Sequence, residues 1–486
     1  MADIIDYAGE FYLELVEIIG SSGEKTNITG ETAEIVIYED TQNPALHGSI
    51  AINDNFDLQA WLPLVGQEFL KLKISTPSLT DEDATIDFTN QLFFIYNVGQ
   101  TVELNDKNKA HLLNFISMET MINQSKSISK TLRGSYSDIV HQILREELKC
   151  TKNLFIEPSA EIKQMIAPDI SPFEIIEIAK NEAVSKEHGA PTYLFYETMW
   201  GYFFRSLDSL YAQPPNAYYT SISQGSLDIV RGRQNVMSDY QVIRGSTRGH
   251  NSNSLTNSAD GTYGSTLITH DIYNKRFTTH TYNYFDEFQK ENHINSYHNL
   301  PQEPLYSETA LDKSGARSSA FPSKKYLLPE AIWTTDDYSG IGIDAHLVHE
   351  FYRADRYSRA AGFHAYNPNR WLQRRNSQMS QLDNGIVITI MVDGNTTVHA
   401  GDIVTLELPK TAMEKSEGDT VDKFYRGPFL LRNLRHSFRS DTRHHTLTMT
   451  LVKDCLDEKL ETAVVPNIQS RGTLYDELYN IRNYDD

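Results

Sequence analysis

The feature that most constrains this chain is a pattern that occurs twice, once toward each end. Gly66-Gln67 opens an alternating stretch that runs through Ile74, followed by Phe94-Ile95-Tyr96 and then His111-Leu112-Leu113-Asn114-Phe115. Gly401-Asp402 opens a second stretch through Leu408, followed by Phe429-Leu430-Leu431 and then His445-Thr446-Leu447-Thr448-Met449 at nearly the same spacing. Alternation with period two sends successive side chains to opposite faces of a strand, so each stretch reads as a turn, a strand and a hairpin. A chain built this way must form two β units and connect them. If the units are equivalent, a threefold ring of chains presents six similar units to a neighbour.

The 486 residues exceed what one core can bury, so three or four domains of roughly 100 to 150 residues are expected. The fold class is α+β and β-rich: two antiparallel β domains, each a small β-barrel or a sandwich, an intervening helix and hairpin module, and a long loop-rich insertion. Residues 1–120 form the first β domain, with strands at Glu34 to Glu39 and Leu70 to Ile74 and breaks at Asn43-Pro44, Asn53-Asp54 and Val65-Gly66. The Leu58 to Leu64 stretch, with Trp61 and Leu62, predicts a short helix with a core role.

Residues 121–235 form the helix and hairpin module. Ser135 and Asp138 make a capping box ahead of Ile139, Val140, Ile143, Leu144 and Leu148. Ser171 caps a second helix with Pro172 at its first position and Glu174 completing the box. Tyr193 to Glu197 and Tyr202 to Arg205 flank a Gly201 turn and predict an aromatic hairpin. Residues 236–455 hold the second β domain, interrupted by an insertion at about 245–380, and 456–486 form a C-terminal tail. The Ser/Asn/Gly/Thr-rich run from Gly245 to Ser265 predicts a mobile loop.

Charge is distributed unevenly. The net charge of -21 disfavours tight nucleic-acid binding, which needs a basic stripe. Residues 1–90 hold 17 acidic against 3 basic side chains, whereas 425–445 carries Arg426, Arg432, Arg435, Arg439 and Arg443 against the single Asp441. Surfaces of opposite sign are placed to meet between copies or partners, so the five arginines are the candidate interface residues. The alternative is a solvated acidic face and an unrelated basic hairpin.

Motifs for chemistry are weak. Cys150 and Cys455 form no CxxC pair, and no apolar run approaches the roughly 18 residues of a membrane span. Assembly in a reducing cytoplasm without stable membrane insertion is expected. His346 and His349 are spaced like metal ligands, but the protease orders are absent and no third ligand can be assigned. Gly340-Ile341-Gly342-Ile343-Asp344-Ala345 follows a polar stretch where a dinucleotide site needs a buried strand. His436, His444 and His445 sit in the basic hairpin, where charge pairing explains them better than phosphate contact. No catalytic, cofactor-binding or metal residue is assigned, and a carboxylate pair for glycoside cleavage cannot be placed from sequence.

Three groups of residues resemble the central hub proteins of T-even-type contractile phage baseplates. The first is Asn43-Pro44-Ala45-Leu46-His47-Gly48 with Leu62-Pro63-Leu64-Val65-Gly66-Gln67-Glu68, similar to the first tube domain. The second is Asp169 to Ile176 followed by Tyr193 to Glu197 and Gly201 to Leu210, similar to a helix and aromatic hairpin. The third is Ala400 to Leu406 with Arg426 to Leu431, similar to the final tube domain. The resemblance spans about 10 to 455.

It implies a non-enzymatic virion protein of the tail baseplate, related in fold to the amino-terminal part of type VI secretion spike proteins. It further implies a homotrimer that adapts the sixfold tail tube to the threefold central spike. Partners would be tail tube or tube-initiator proteins, the spike and a tape measure protein, with DNA passing through the channel without specific binding. An acidic wall from residues 1–90 would suit such a channel. A peripheral receptor-binding protein and a tail-associated cell-wall hydrolase are the alternatives. The family carries no catalytic or metal residues over to this chain.

Overall fold

A computed structural model describes residues 7–55, 58, 62, 64–76, 85–105, 108–221, 240–249, 254–271, 275–298, 324–329, 371–410 and 421–459. The N-terminal β unit contains β1 (Tyr12–Ile19), β2 (Lys25–Asn27), β3 (Thr32–Asp40), β4 (His47–Asp54), β5 (Phe69–Ser75), β6 (Thr85–Asp87), β7 (Phe93–Asn105) and β8 (Asn108–Ser117). They pair antiparallel in the order β3-β4-β8-β7-β5-β1-β2, with β6 on β5. Alternate residues Val16, Ile18, Ile35, Ile37, Ile50, Ile52, Leu70, Leu72 and Phe115 converge on one core. Leu58 and Leu62 join it, with Leu62 N donating to Leu58 O at 2.8 Å; Trp61 lies outside the described residues. At Gly48 a Cβ would stand 2.2 Å from Val36 O and 2.5 Å from the Phe115 ring, so the close approach of β3, β4 and β8 requires glycine there.

The middle module contains α1 (Met118–Ser125), β9 (Ile128–Gly134), α2 (Tyr136–Gln142), β10 (Asn153–Ile156), β11 (Lys163–Ile170), α3 (Pro172–Glu182), β12 (Tyr193–Thr198), β13 (Gly201–Ser206) and α4 (Leu207–Tyr211). Both capping boxes form, Ser135 with Asp138 and Ser171 with Glu174. Ile139, Val140, Ile143, Leu144, Ile175, Ile176 and Ala179 bury against Tyr193, Phe195, Tyr202 and Phe204 of the expected hairpin. Cross-strand rings stack in it: Phe195 on Tyr202 at 5.6 Å and Tyr196 on Phe203 at 5.1 Å. Gly201 turns the chain at φ 140°, and β10 lies parallel to β13 so closely that a Cβ at Gly201 would meet Asn153 O at 2.2 Å.

The C-terminal region contains β14 (Ala217–Thr220), β15 (Ile243–Arg248), α5 (Ser254–Asp260), β16 (Gly264–Asp271), β17 (Arg276–Asn283), α6 (Tyr284–Glu287), β18 (Tyr297–His298), β19 (Lys324–Pro329), α7 (Leu372–Asn384), β20 (Ile386–Asp393), β21 (Ile403–Pro409), β22 (Val421–Arg439), β23 (His444–Lys453) and β24 (Cys455–Leu456). The expected loop from Gly245 to Ser265 instead carries β15, α5 and the start of β16. Its polar side chains found internal partners: Asn257 is buried, donating to Tyr263 Oη at 3.2 Å and accepting from Ser380 Oγ at 3.3 Å. Within the expected insertion β16 pairs with β17 and β19, while α7 buries Gln373, Ser377 and Gln378. These bond to Ser265 O at 3.0 Å, Thr262 O at 2.7 Å and Asp208 Oδ1 at 3.1 Å, which satisfies a polar helix face sealed from water.

The repeated sequence pattern is a repeated topology. The antiparallel order β4-β8-β7-β5 recurs as β20-β23-β22-β21, with β3 and β15 as the antiparallel outer neighbours. Both hairpins carry a bulge, between Ile95 and Asn97 and between Leu431 and Asn433. Just before each bulge the backbone bonds are the same: Ile95 N to Glu68 O and Leu431 N to Asp402 O, both 2.8 Å. In each unit that acid also closes the preceding turn, Glu68 accepting from Val65 N at 2.7 Å and Asp402 from His399 N at 2.9 Å. Ile95 faces Phe115 and Leu431 faces Leu451, so counting back four residues makes Leu447, not His445, the equivalent of His111. The units differ at one edge, where β1 is antiparallel to β5 but β14 parallel to β21.

The two units are not separate sheets. The 19-residue β22 pairs with β21 through its first part; beyond the bulge at Arg432 it runs antiparallel to β3, from Asn433 opposite Asp40 to Arg439 opposite Glu34. One 14-stranded sheet results. Among the described residues no pairing closes either unit into a barrel.

Candidate functional site

A buried polar network lies where the two β units meet the middle module, and two buried carboxylates organise it. Glu39 of β3 accepts from Met199 N and Ala400 N, each at 2.9 Å, and pairs with His399 Nδ1 at 3.2 Å. One side chain thus ties the first unit to the aromatic hairpin and to the second unit. Burial alone would raise its carboxyl, but His399 and the Ala400 amide hold it below the usual carboxylate range.

Glu197 of β12 accepts from Leu46 N at 2.8 Å, Ser117 Oγ at 2.5 Å and Lys152 Nζ at 2.6 Å. The same ammonium contacts Glu119 of α1 at 2.6 Å, and the three side chains are 7% exposed or less. Burial works against the lysine's charge, yet Glu197 and Glu119 keep it well above its ordinary value. Two carboxylates share one cation, so burial still pushes the Glu197 carboxyl up.

The five arginines are distributed around this seam. Arg435 and Arg439 lie on the outer face of β22, 44% and 58% exposed at the side chain. Arg435 approaches Glu34 of β3 at 4.0 Å, and Arg439 pairs with Asp441 at 3.7 Å. Arg432, at the bulge, contacts Asp383 at 2.9 Å and Gln42 at 3.1 Å. Arg426 holds Asp457 and Glu458, both at 3.0 Å, while Arg443 sits in the hairpin turn at φ 49° and its carbonyl accepts from Tyr7 Oη. The acidic N-terminal segment and the basic hairpin therefore meet within one chain at Arg435 and Glu34, and Arg435, Arg439 and Arg443 are exposed.

Of the histidines flagged in this hairpin, His436 and His445 point inward, with Nδ1 of the first 3.2 Å from Nε2 of the second. Burial holds both far below the ordinary histidine value, His445 at about 3. His444 instead reaches Asp393 at 3.3 Å. His346, His349 and the stretch Gly340 to Ala345 lie outside the described residues.

Sequence reasoning did not single out Glu39, Lys152 or Glu197, nor a second buried group at the far end of β23. There His293 Nδ1 lies 2.6 Å from Asp454 Oδ2, and Cys455 Sγ lies 3.0 Å from Asp454 Oδ1. Partners 160 residues apart leave no spacing signal. The only local clue was an acid beside a cysteine.

No family model and no curated protein matches this sequence. Among solved structures, the chain is similar to a tail protein from Neisseria meningitidis MC58, at 10% identity over 92% of this chain and 97% of that one, TM-score 0.47. It is also similar to the 43 kDa tail protein of prophage MuSo2 from Shewanella oneidensis, at 8% identity over 91% and 99%, TM-score 0.47. A third is an E. coli protein described as a component of the type VI secretion system with structural similarity to T4 bacteriophage tail proteins, at 10% identity over 94% and 80%, TM-score 0.38.

Proposed function

We propose that this chain is a structural, non-catalytic hub of a contractile tail baseplate, acting as a homotrimer that adapts a sixfold tail tube to a threefold spike. The observation that carries the reading is the doubled unit: the same strand order, bulge and acid-closed turn occur twice in one chain. Three copies would offer six similar units to a sixfold neighbour while keeping threefold symmetry toward the other. The sequence resemblance to hub proteins points the same way. In this reading each unit acts as a tube domain, DNA passes through the ring without specific contact, and the exposed Arg435 and Arg439 face an acidic surface of an adjoining copy or partner.

The test is the mass of the purified chain together with copurification with tube and spike proteins of its own tail. A trimer near three times 55.4 kDa that retains both supports the reading. A stable monomer indifferent to both overturns it. Peptidoglycan turnover abolished by replacing one carboxylate would move the assignment to a tail hydrolase.

A further inference from the structure

The buried group at the end of β23 is used by nothing in the proposed hub. β24 forms a two-stranded ladder with β18 in which Cys455 faces His298 and Leu456 faces Tyr297. The ladder lays the 291–298 segment over the end of the second β unit and encloses three ligand-type side chains. His293 and Asp454 are 4% and 5% exposed at the side chain, and Cys455 is fully buried. One nitrogen, one oxygen and one sulfur atom of these residues lie within 4.8 Å of one another.

Three features separate this cluster from an ordinary buried ion pair. Imidazole, carboxylate and thiolate together are a donor set that zinc accepts, with Zn–N and Zn–O near 2.0–2.2 Å and Zn–S near 2.3 Å. Tetrahedral ligands at those lengths stand about 3.3–3.7 Å apart, so the observed spacing needs only side-chain adjustment. Asn295 N donates to Cys455 Sγ at 3.0 Å, while the thiol donates to Asp454 Oδ1 at 3.0 Å, so sulfur and carboxylate are already held together. Finally, two imidazoles around the cluster hold buried nitrogens without a hydrogen-bond partner among the described residues: Nε2 of His293 and Nδ1 of His298. A buried ring nitrogen left unbonded costs free energy unless something fills it. Both rings touch Phe288, His293 at 3.9 Å and His298 at 5.8 Å between centroids.

We propose that His293, Asp454 and Cys455 bind one zinc-type divalent cation. The donors are buried away from the surface, so the ion would act on the packing of the chain. Binding releases the Cys455 thiol proton and any proton on His293, leaving neutral imidazole and thiolate on the metal. The ion clips the 291–298 segment, and with it the preceding β16–β17 hairpin, to the last strand of the second β unit.

The experiment uses the full, untagged chain, stripped with chelator and titrated with cobalt(II) and with zinc against a chromophoric chelator. Cobalt binding at one equivalent per chain, with a thiolate-to-cobalt charge-transfer band that zinc displaces, is expected. Cys455→Ser should abolish the band, and His293→Ala should weaken zinc binding by about tenfold or more, while Cys150→Ser leaves both intact. Absence of stoichiometric binding by the unmodified chain overturns the site, as does a cobalt spectrum without a thiolate band or one that survives Cys455→Ser. The spectrum of the unmodified chain decides the matter even if a variant fails to fold.

Discussion

Replacing Lys152 by methionine should loosen the seam more than any other single change there. The substitution keeps an unbranched apolar side chain one atom shorter but leaves Glu119 and Glu197 buried without their shared cation. Stripping one partner from a buried charge cluster costs about 3–5 kcal/mol, because the remaining charges stay desolvated and here also repel each other. The chain holds several cores, so a single melting temperature does not define the loss. Native-state hydrogen exchange at Leu46 does, since its amide donates to Glu197 at 2.8 Å. A loss of that size accelerates exchange by roughly two to four orders of magnitude at about 1.4 kcal/mol per tenfold. Adding Glu119→Gln and Glu197→Gln to Lys152→Met should recover most of the protection, because the amides keep acceptors in place without charge. Exchange in Lys152→Met within about threefold of the unmodified chain would refute the view that this ammonium holds the first β unit to the middle module.

Three further outcomes follow from the same structure. His445 is held neutral at about 3 against an ordinary 6.5, so its share of stability is present above about pH 6.5 and lost as pH falls. By pH 5 the loss is about 2 kcal/mol, with His436 adding in the same direction; chemical unfolding at pH 7.5 and 5 should show it, with a smaller difference in His445→Asn. Gly48→Ala drives a methyl group into Val36 O and the Phe115 ring and should destabilise the first β unit by about 1–3 kcal/mol, read from native-state hydrogen exchange of the β4 amides. Reversing Arg435 and Arg439 to Glu should weaken assembly at low salt and little at high salt, measured by light scattering; assembly unchanged at low salt would remove these residues from the interface.

What the sequence discloses and what it hides divide by distance along the chain. Ser135 with Asp138 and Ser171 with Pro172 and Glu174 are signals contained within a few residues, and both helices begin where those residues place them. The Gly201 hairpin and the β22–β23 hairpin are equally local. The pairing of β22 with β3 joins residues about 400 apart, and alternation in either strand carries no address for the other. The Gly245 to Ser265 stretch folds against its composition, because composition records polarity but not the partner that Ser380 supplies from elsewhere in the chain. Glu39 and Glu197 look like ordinary strand acids until three modules close around them.

The long shared strand also sets an order of events during synthesis. β3 is complete once residue 40 has left the ribosome, but its neighbour β22 does not appear until residue 439, and Gly9 O likewise waits for His445 N. Throughout that interval the nascent first unit carries an unpaired, β-branched edge, the kind of template on which chains of the same sequence pair with one another. Yield in the cell should therefore depend on how fast the last third of the chain is translated, and a truncation before Val421 should aggregate even though it contains every residue of the first unit.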